Sequence, residues 1–185
     1  EYSERFHMDW VGMYGFDNTY GLVVRREIAE KYNLKTYSDL KSVAGDLTFG
    51  AEYDFFERED GYDALCETYG LDFGKTMDLD IGLKYQAIRQ GKIDVMVIFT
   101  TDGQLSASDV VDLEDDKHFY PSYICGNMIR ADVLEEYPEL EAVFEKLNGL
   151  ISDADMAAMN YAVETESKEP REVAEGFLQN HGLLQ

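Results

Sequence analysis

The segment KIDVMVIFT, residues 92–100, is an almost unbroken apolar run that follows a helical pattern. Such a short apolar run is typical of a strand covered on both faces. In the preceding segment, residues 80–91, Ile81, Tyr85 and Ile88 fall on one helical face. Because a strand buried on both faces needs a layer of helices on each side, the run predicts an α/β fold with a largely parallel sheet.

The same patterns predict the other elements. Asn33 and Gly70 are expected as C-terminal helix stops, Ser38 as an N-cap, and Ser152 with Asp155 as a capping box. Further strands are predicted at residues 19–25, 46–52, 109–115 and 123–130. Helices are predicted at residues 26–33, 38–45, 61–70, 132–150, 151–164 and 169–184.

The charge of the chain is strongly acidic. Its 16 lysines and arginines stand against 38 aspartates and glutamates, a formal net charge of −22. No basic stripe interrupts the acidity, so the surface should repel phosphate backbones and no nucleic-acid partner is expected.

Chemical signatures of catalysis or metal binding are missing from the sequence. Cys66 and Cys125 are outside any CxxC motif and are expected to be buried thiols, although a single disulfide stays open. The chain has none of the nucleophile-elbow, phosphate-loop or HExxH patterns. We therefore expect no catalytic residue, no metal and no cofactor. An enzyme with an unrecognised carboxylate site remains an alternative.

Membrane and export signals are also lacking within the sequence. No apolar run approaches the ~20 residues of a membrane span. The first residues, EYSERFHMDW, are charged and aromatic, unlike a signal peptide. We therefore expect a mature chain or a part of a longer one.

Aromatic residues occur where strands meet loops, the places at which α/β sheets bind ligands. Tyr20, Phe99 and Tyr123 each lie at such a junction. Core packing is one explanation of these rings. The other is a set of ring faces around a quaternary ammonium, which cannot donate hydrogen bonds and is attracted to π-electron density.

Arg58, in DFFERED, follows the strand predicted at residues 46–52. It is either a surface charge paired with Glu57 or Asp54, or a bidentate anchor for the carboxylate of a ligand.

Several segments in order carry a resemblance to a known family. The segments are GFDNTYGLVVRREIAEKYNLKTYSDL, LTFGAEYDFFEREDGY, DLDIGLKYQAIRQGKIDV, TTDGQL and EVAEGFLQNHGLL. Together they resemble the extracytoplasmic substrate-binding domains of osmoprotectant ABC importers for glycine betaine, carnitine and choline, over nearly the whole chain. The resemblance implies a type II periplasmic-binding-protein-like fold, a two-lobed "Venus flytrap" with mixed, mainly parallel sheets.

The resemblance also implies site residues. Tyr20, Phe99 and Tyr123 correspond to rings of an aromatic cage around a trimethylammonium group, and Arg58 to the arginine that binds the ligand carboxylate. Asn18 and, less directly, Thr101 are further candidates. Phe99 falls where family members often have tyrosine, so it keeps the ring face and lacks the hydroxyl.

The resemblance implies an incomplete first lobe. Residues 1–16 and 122–185 correspond to part of the first lobe, and residues 17–121 to the second. A missing strand–helix block would leave an open sheet edge, so we expect self-association and weak ligand binding by this chain.

The function expected from the resemblance is capture of a quaternary-ammonium osmoprotectant and its delivery to a membrane permease. The chain would then be extracytoplasmic and membrane-associated, lipid-anchored or fused to a permease. A different small solute, such as an amino acid or the histidine betaine ergothioneine, is the alternative.

Overall fold

Strands and helices alternate along much of residues 2–184, the part of the chain that a computed structural model describes. The strands are β1 (Met8–Asp17), β2 (Tyr20–Arg25), β3 (Thr48–Ala51), β4 (Lys75–Asp78), β5 (Val95–Phe99), β6 (Val110–Leu113) and β7 (Ile124–Arg130). The helices are α1 (Tyr2–Phe6), α2 (Arg26–Tyr32), α3 (Tyr53–Glu57), α4 (Tyr62–Tyr69), α5 (Ile81–Arg89), α6 (Ala131–Glu136), α7 (Glu139–Phe144), α8 (Asp153–Glu164) and α9 (Pro170–Asn180). Short 3-10 turns lie at Tyr37–Ser42, Ala44–Asp46 and Glu145–Leu147.

These elements fall into two compact units. Unit 1 takes the chain up to Thr19, residues 100–103 and the residues from Ser122 onward, and unit 2 takes Tyr20–Phe99 and Gln104–Pro121. Within residues 2–184 the chain therefore passes between the units four times, twice at a strand end and twice within a loop.

Unit 2 is built on a five-stranded sheet with the strand order β4-β3-β5-β2-β6. The sheet is mixed, as predicted, and four of its five strands, β3 to β6, run in the same direction. β3 runs parallel to β4 and β5, whereas β2 runs antiparallel to β5 and β6. The apolar run of β5 reflects burial of both its faces, and this burial does not depend on the direction of the neighbouring strand.

Both faces of this sheet are covered, which explains the near-continuous apolar sequence of β2 and β5. Leu22 and Val24 join the cluster that includes Leu65 of α4, while Val23 joins the opposite cluster with Ile88 of α5. Successive residues of a strand point to opposite faces, so each buried run serves two helical layers. The core of the protein accordingly lies in unit 2.

Unit 1 contains a two-stranded antiparallel sheet of β1 and β7, together with α1 and α6 to α9. Among the described residues of this unit, Val11 is the one buried hydrophobic side chain. Large apolar side chains on its strands are instead exposed, namely Trp10, Met13, Ile124 and Met128. β1 was not predicted from the sequence, because glycines at positions 12 and 15 interrupt its apolar pattern.

Helix ends agree with the sequence at several positions. Asn33 and Gly70 adopt the left-handed conformation after α2 and α4, and Ser152 caps α8 in a capping box with Asp155. The helix predicted at 38–45 is present as two 3-10 turns, but its predicted N-cap, Ser38, is wrong: the hydroxyl of Thr36 accepts the N–H of Asp39 and caps the first turn.

Two further predictions on the helices and cysteines have clear outcomes. The single helix predicted at residues 132–150 is interrupted between α6 and α7 at Pro138, whose ring cannot continue a helix. Cys66 and Cys125 are free thiols with intermediate burial, so the disulfide alternative is wrong and the expected full burial is only partial. Within residues 2–184, no helix combines the length and apolarity needed to cross a membrane.

Candidate functional site

Tyr20 and Phe99 form the centre of an aromatic cluster in unit 2. Tyr20 is the first residue of β2 and Phe99 the last of β5, and the antiparallel register pairs the two residues directly. Their ring centroids lie 4.7 Å apart with an interplanar angle of 32°. The parallel strand β3 ends at the same edge of the sheet, and the carboxyl ends of strands are where α/β sheets generally bind ligands.

Two further rings, which the sequence did not predict as site residues, surround Tyr20. The centroid of Phe55 in α3 lies 5.7 Å from that of Tyr20, and the centroid of Tyr120 lies 5.5 Å from it. The Tyr120 hydroxyl is buried with no hydrogen-bond partner among the described residues, and burial raises the pKa of this tyrosine. The ring of Tyr120 therefore stays neutral and apolar beside Tyr20.

Arg58, which the resemblance predicts as the carboxylate-binding residue, lies against this cluster. Its guanidinium carbon is 5.6 Å from the ring centroid of Tyr20. The Arg58 Nε and Nη2 groups donate hydrogen bonds of 2.8 and 2.7 Å to the two carboxylate oxygens of Asp60. These bonds hold the pKa of Asp60 below its ordinary value. The sequence suggested Glu57 or Asp54 as the partner of Arg58, whereas in the structure Arg58 is hydrogen-bonded to Asp60.

The turn that carries Arg58 and Asp60 depends on Gly61. The Gly61 amide donates to the carbonyl of Arg58 at 3.1 Å, which closes the turn after α3. A Cβ atom at position 61 would lie 1.9 Å from the carbonyl oxygen of Phe55, so only glycine fits. Gly61 thus keeps the arginine and the aspartate within reach of each other.

Lys84 is a buried cation behind the cluster. Its ammonium forms an ion pair of 2.7 Å with Glu52, lies 3.2 Å from the carbonyl of Val97, and is 5.7 Å from the Phe99 ring centroid. The Lys84 side chain is only 1% exposed. It connects α5 to the residue that follows β3 and to the middle of β5, and its place in an ordinary amphipathic helix gave no sequence signal for this role.

The segment that carries Tyr120 is held by Asp115. Its carboxylate accepts the backbone N–H groups of Phe119 and Tyr120, each at 3.0 Å, and also the hydroxyl of Tyr69. Since Tyr69 lies in α4, this carboxylate fixes the loop after β6 to the core of unit 2. Tyr120 is therefore placed by contacts between residues distant in sequence.

The remaining predicted residues, Asn18, Thr101 and Tyr123, lie in unit 1. The Thr101 hydroxyl donates a hydrogen bond to the side-chain carbonyl of Asn18 at 2.6 Å. The backbone N–H of Asn18 donates to the backbone carbonyl of Tyr123 at 3.1 Å. The Asp17 carboxylate accepts the Tyr123 amide, and the Tyr123 side chain is 44% exposed. The structure thus brings these three residues together with Asp17, and brings Tyr20, Phe99 and Arg58 together in unit 2. A cage that includes both sets stays a prediction.

The described residues contain no group of three or more histidine, cysteine, aspartate or glutamate side chains placed to hold a metal ion.

Comparison with known proteins assigns the chain to a family. Residues 1–180 match the family model described as the substrate-binding domain of the ABC-type glycine betaine transport system. The chain belongs to this family. It is a family of transport substrate-binding domains and not one of enzymes.

Individual relatives are similar over almost all of this substrate-binding chain. It is 42% identical over 182 residues to the ergothioneine transport permease/ergothioneine binding protein EgtU of Helicobacter pylori strain G27, covering 98% of the chain and 33% of the relative. It is 39% identical over 185 residues to the carnitine transport binding protein OpuCC of Listeria monocytogenes strain 10403S, covering 100% of the chain and 60% of the relative. The chain thus spans between a third and three fifths of these curated relatives.

A solved structure supports the same assignment. The crystal structure of a glycine betaine/carnitine/choline ABC transporter protein matches with a TM-score of 0.91 and 38% identity, over 100% of this chain and 68% of that one. The predicted fold class, α/β of the type II periplasmic-binding-protein kind, is therefore confirmed, and so is the resemblance stated from the sequence.

Proposed function

We propose that this substrate-binding domain captures a quaternary-ammonium osmoprotectant such as glycine betaine, carnitine or choline and delivers it to the permease of an ABC importer. The observation that carries the proposal is the cluster of Tyr20 and Phe99, flanked by Phe55 and Tyr120, at the edge of the unit 2 sheet where β3 and β5 end. Membership of the glycine betaine transport family supports it.

The chemistry of the cluster suits a permanent cation without donors. A methylated nitrogen is attracted to ring faces, and each desolvated face contributes ~0.5–2 kcal/mol. Tyr20 and Phe99 are proposed to supply two ring faces, and Tyr123 another. Asn18 is proposed to contribute a polar contact, and Arg58 to bind the ligand carboxylate through its guanidinium.

The partners and location follow from this function. The solute is proposed to be a small molecule, and the protein partner is proposed to be a membrane permease. The protein itself is proposed to be extracytoplasmic and to be held at the membrane by a lipid anchor or by fusion to the permease. The net charge of −22 argues against nucleic acid as a partner. The protein performs no chemistry on the solute, so solute recovered after incubation should be unchanged.

We also propose self-association of the 185-residue chain through β7. The outer edge of β1 is partly occupied, because Gly149 and Ile151 donate amide hydrogen bonds to its Met13 and Tyr14 carbonyls at 2.9 and 3.0 Å. Among the described residues, β7 pairs with no strand other than β1. An open edge of this kind, next to exposed apolar side chains, favours pairing with the same strand of a second copy.

Ergothioneine is the second candidate solute, because one relative at 42% identity is named as an ergothioneine-binding protein. Ergothioneine also carries a trimethylammonium group and a carboxylate, so the same rings and Arg58 would serve it. It differs in its sulfur-containing imidazole ring, and a solute panel therefore separates the two candidates.

The test is a thermal-shift screen followed by calorimetric titration with glycine betaine, carnitine, choline and ergothioneine. The control is 3,3-dimethyl-1-butanol, the uncharged carbon isostere of choline. A ligand that binds only the native state stabilises it by RT ln(1 + [L]/Kd), so Tm rises with the ligand concentration. We expect stabilisation by at least one quaternary ammonium compound and none by the isostere. Equal stabilisation by the isostere would refute the cation site.

A further inference from the structure

The guanidinium of Arg58 is already engaged by a carboxylate from the same chain. Its Nε and Nη2 groups, which form one side of the guanidinium fork, bind both oxygens of Asp60 at 2.8 and 2.7 Å. This is the bidentate geometry that an arginine uses to hold a free carboxylate. In the described conformation, Asp60 therefore occupies the place that a ligand carboxylate would take on this side of the fork.

We propose that Asp60 determines solute selectivity, because it competes with the ligand carboxylate for Arg58. The inference rests on the proposed function, in which Arg58 binds the carboxylate of a betaine. A solute with a carboxylate, such as glycine betaine, must displace Asp60 or share the arginine with it. A solute without one, such as choline, leaves the Arg58–Asp60 pair in place.

Asp60 also affects the binding of choline, because Arg58 lies over the ring of Tyr20. For choline the effect is favourable, whereas for glycine betaine Asp60 is a competitor. The Arg58 guanidinium carbon is 5.6 Å from the centroid of the Tyr20 ring, which is one of the rings proposed to contact the solute cation. Two cations near one ring repel each other. Asp60 offsets the charge of Arg58, so its carboxylate favours a cation that brings no negative charge of its own. A betaine brings its own carboxylate and does not need this compensation.

The expected size of the competition is modest. The side chains of Arg58 and Asp60 are 40% and 55% exposed, so water screens their attraction. Exposed ion pairs of this kind shift an equilibrium by about two- to fivefold. Because the two effects act in opposite directions, the ratio of the glycine betaine and choline dissociation constants should change more than either constant alone.

A purely orienting role for Asp60 makes a different prediction. If Asp60 served only to hold Arg58 in position for the ligand, its loss would weaken the binding of glycine betaine and leave that of choline almost unchanged. The direction of the change for glycine betaine therefore separates competition from orientation.

The experiment compares the Asp60→Asn variant with the wild-type chain by NMR titration against glycine betaine and choline. Asparagine keeps the size of the side chain and removes the charge. A matched control is Asp132→Asn, since Arg130 and Asp132 form a pair of the same spacing with bonds of 3.1 and 3.2 Å on exposed side chains at the start of α6. A second variant, Arg58→Gln, removes the group for which the two carboxylates compete.

We expect Asp60→Asn to bind glycine betaine about two- to fivefold more tightly and choline no more tightly than wild type. Asp132→Asn should behave as wild type, and adding Arg58→Gln to Asp60→Asn should abolish the gain.

Unchanged or weaker glycine betaine binding in Asp60→Asn would overturn the inference while leaving the proposed function intact. Failure of the wild-type chain to bind either solute would overturn the proposed function and the inference with it. A partly unfolded variant raises both apparent dissociation constants by the same factor, so each constant is corrected by the folded fraction measured in the same NMR spectra.

Discussion

The ring centroids of Tyr20 and Phe99 lie 4.7 Å apart, at two residues that pair directly across β2 and β5. This distance leaves no room for a trimethylammonium group between the two rings. In the proposed cation site the two rings are therefore neighbouring faces on one side of the solute. A cage needs further ring faces, and Tyr123 is proposed to supply one of them.

Replacing Phe99 tests the contribution of one ring face. Phe99→Leu should weaken the binding of choline and glycine betaine by ~0.5–2 kcal/mol, because it removes π-electron density from the site. Phe99→Tyr keeps the ring and should bind within about twofold of wild type. NMR titration of both variants gives the comparison. Equal affinity of Phe99→Leu and the wild-type chain would mean that this ring serves packing alone.

Tyr123→Ala separates ligand binding from folding. The Tyr123 side chain is 44% exposed, so its removal should change the free energy of unfolding by no more than about 1 kcal/mol. Affinity for a quaternary ammonium should nevertheless fall by ~0.5–2 kcal/mol, from the loss of one face. Urea unfolding and solute titration on the same sample measure the two quantities. A stable variant with undiminished affinity would exclude Tyr123 from the site.

The ion pair of Lys84 and Glu52 should be important for the stability of unit 2. Lys84→Met leaves the Glu52 carboxylate without its cation and should cost about 3 kcal/mol, the lower end of the range for a broken buried pair, because Glu52 is 22% exposed and keeps some water. The double variant Lys84→Met/Glu52→Gln should lose less than the sum of the two single variants. Urea unfolding of all four proteins completes the cycle, and strictly additive losses would show that the pair is not coupled.

Buried tyrosines should make the fold sensitive to alkaline pH. Desolvation raises the pKa of Tyr37 and Tyr120 well above the ordinary value of 10.0. Their contribution to the free energy of unfolding is therefore complete below about pH 10, and it is lost as the pH rises further, because the unfolded chain then releases protons that the folded chain retains. Absorbance of tyrosinate at alkaline pH should show these rings ionising only as the protein unfolds. Full ionisation in the folded protein would contradict their burial.

Light scattering after size-exclusion chromatography tests the proposed pairing of β7 edges. The wild-type chain should elute as a dimer or larger species, and Met128→Lys should shift it toward the monomer, since Met128 lies exposed on β7 and a charge there disfavours edge pairing. A well-dispersed wild-type monomer would contradict the proposal.

The sequence allowed good prediction of features that depend on local periodicity. The buried strands β2 and β5 and the ends of α2 and α4 follow from apolar spacing and from the backbone freedom of Asn33 and Gly70. The direction of a strand depends instead on how the connections between strands cross the sheet. The spacing of apolar residues contains no information about these connections. The antiparallel placement of β2 was therefore missed.

The sequence pattern also marked only those residues of the candidate site that lie at the ends of strands. Tyr20 and Phe99 were found because both lie at strand ends, which a sequence pattern marks. Tyr120 is brought to them by Asp115 and the turn after β6, and Asp60 meets Arg58 through a turn that requires Gly61. These contacts depend on tertiary geometry, so residue spacing alone did not reveal them.

The most direct test of the central claim is an NMR titration of the 185-residue chain with glycine betaine and choline, observed at the aromatic resonances and repeated with Tyr20→Leu. This method detects both tight and weak binding. We predict saturable shifts of the Tyr20, Phe99 and Tyr123 ring resonances, absent with 3,3-dimethyl-1-butanol and diminished in the variant. Shifts that are the same with the uncharged isostere, or that leave these three rings unaffected, would contradict the account.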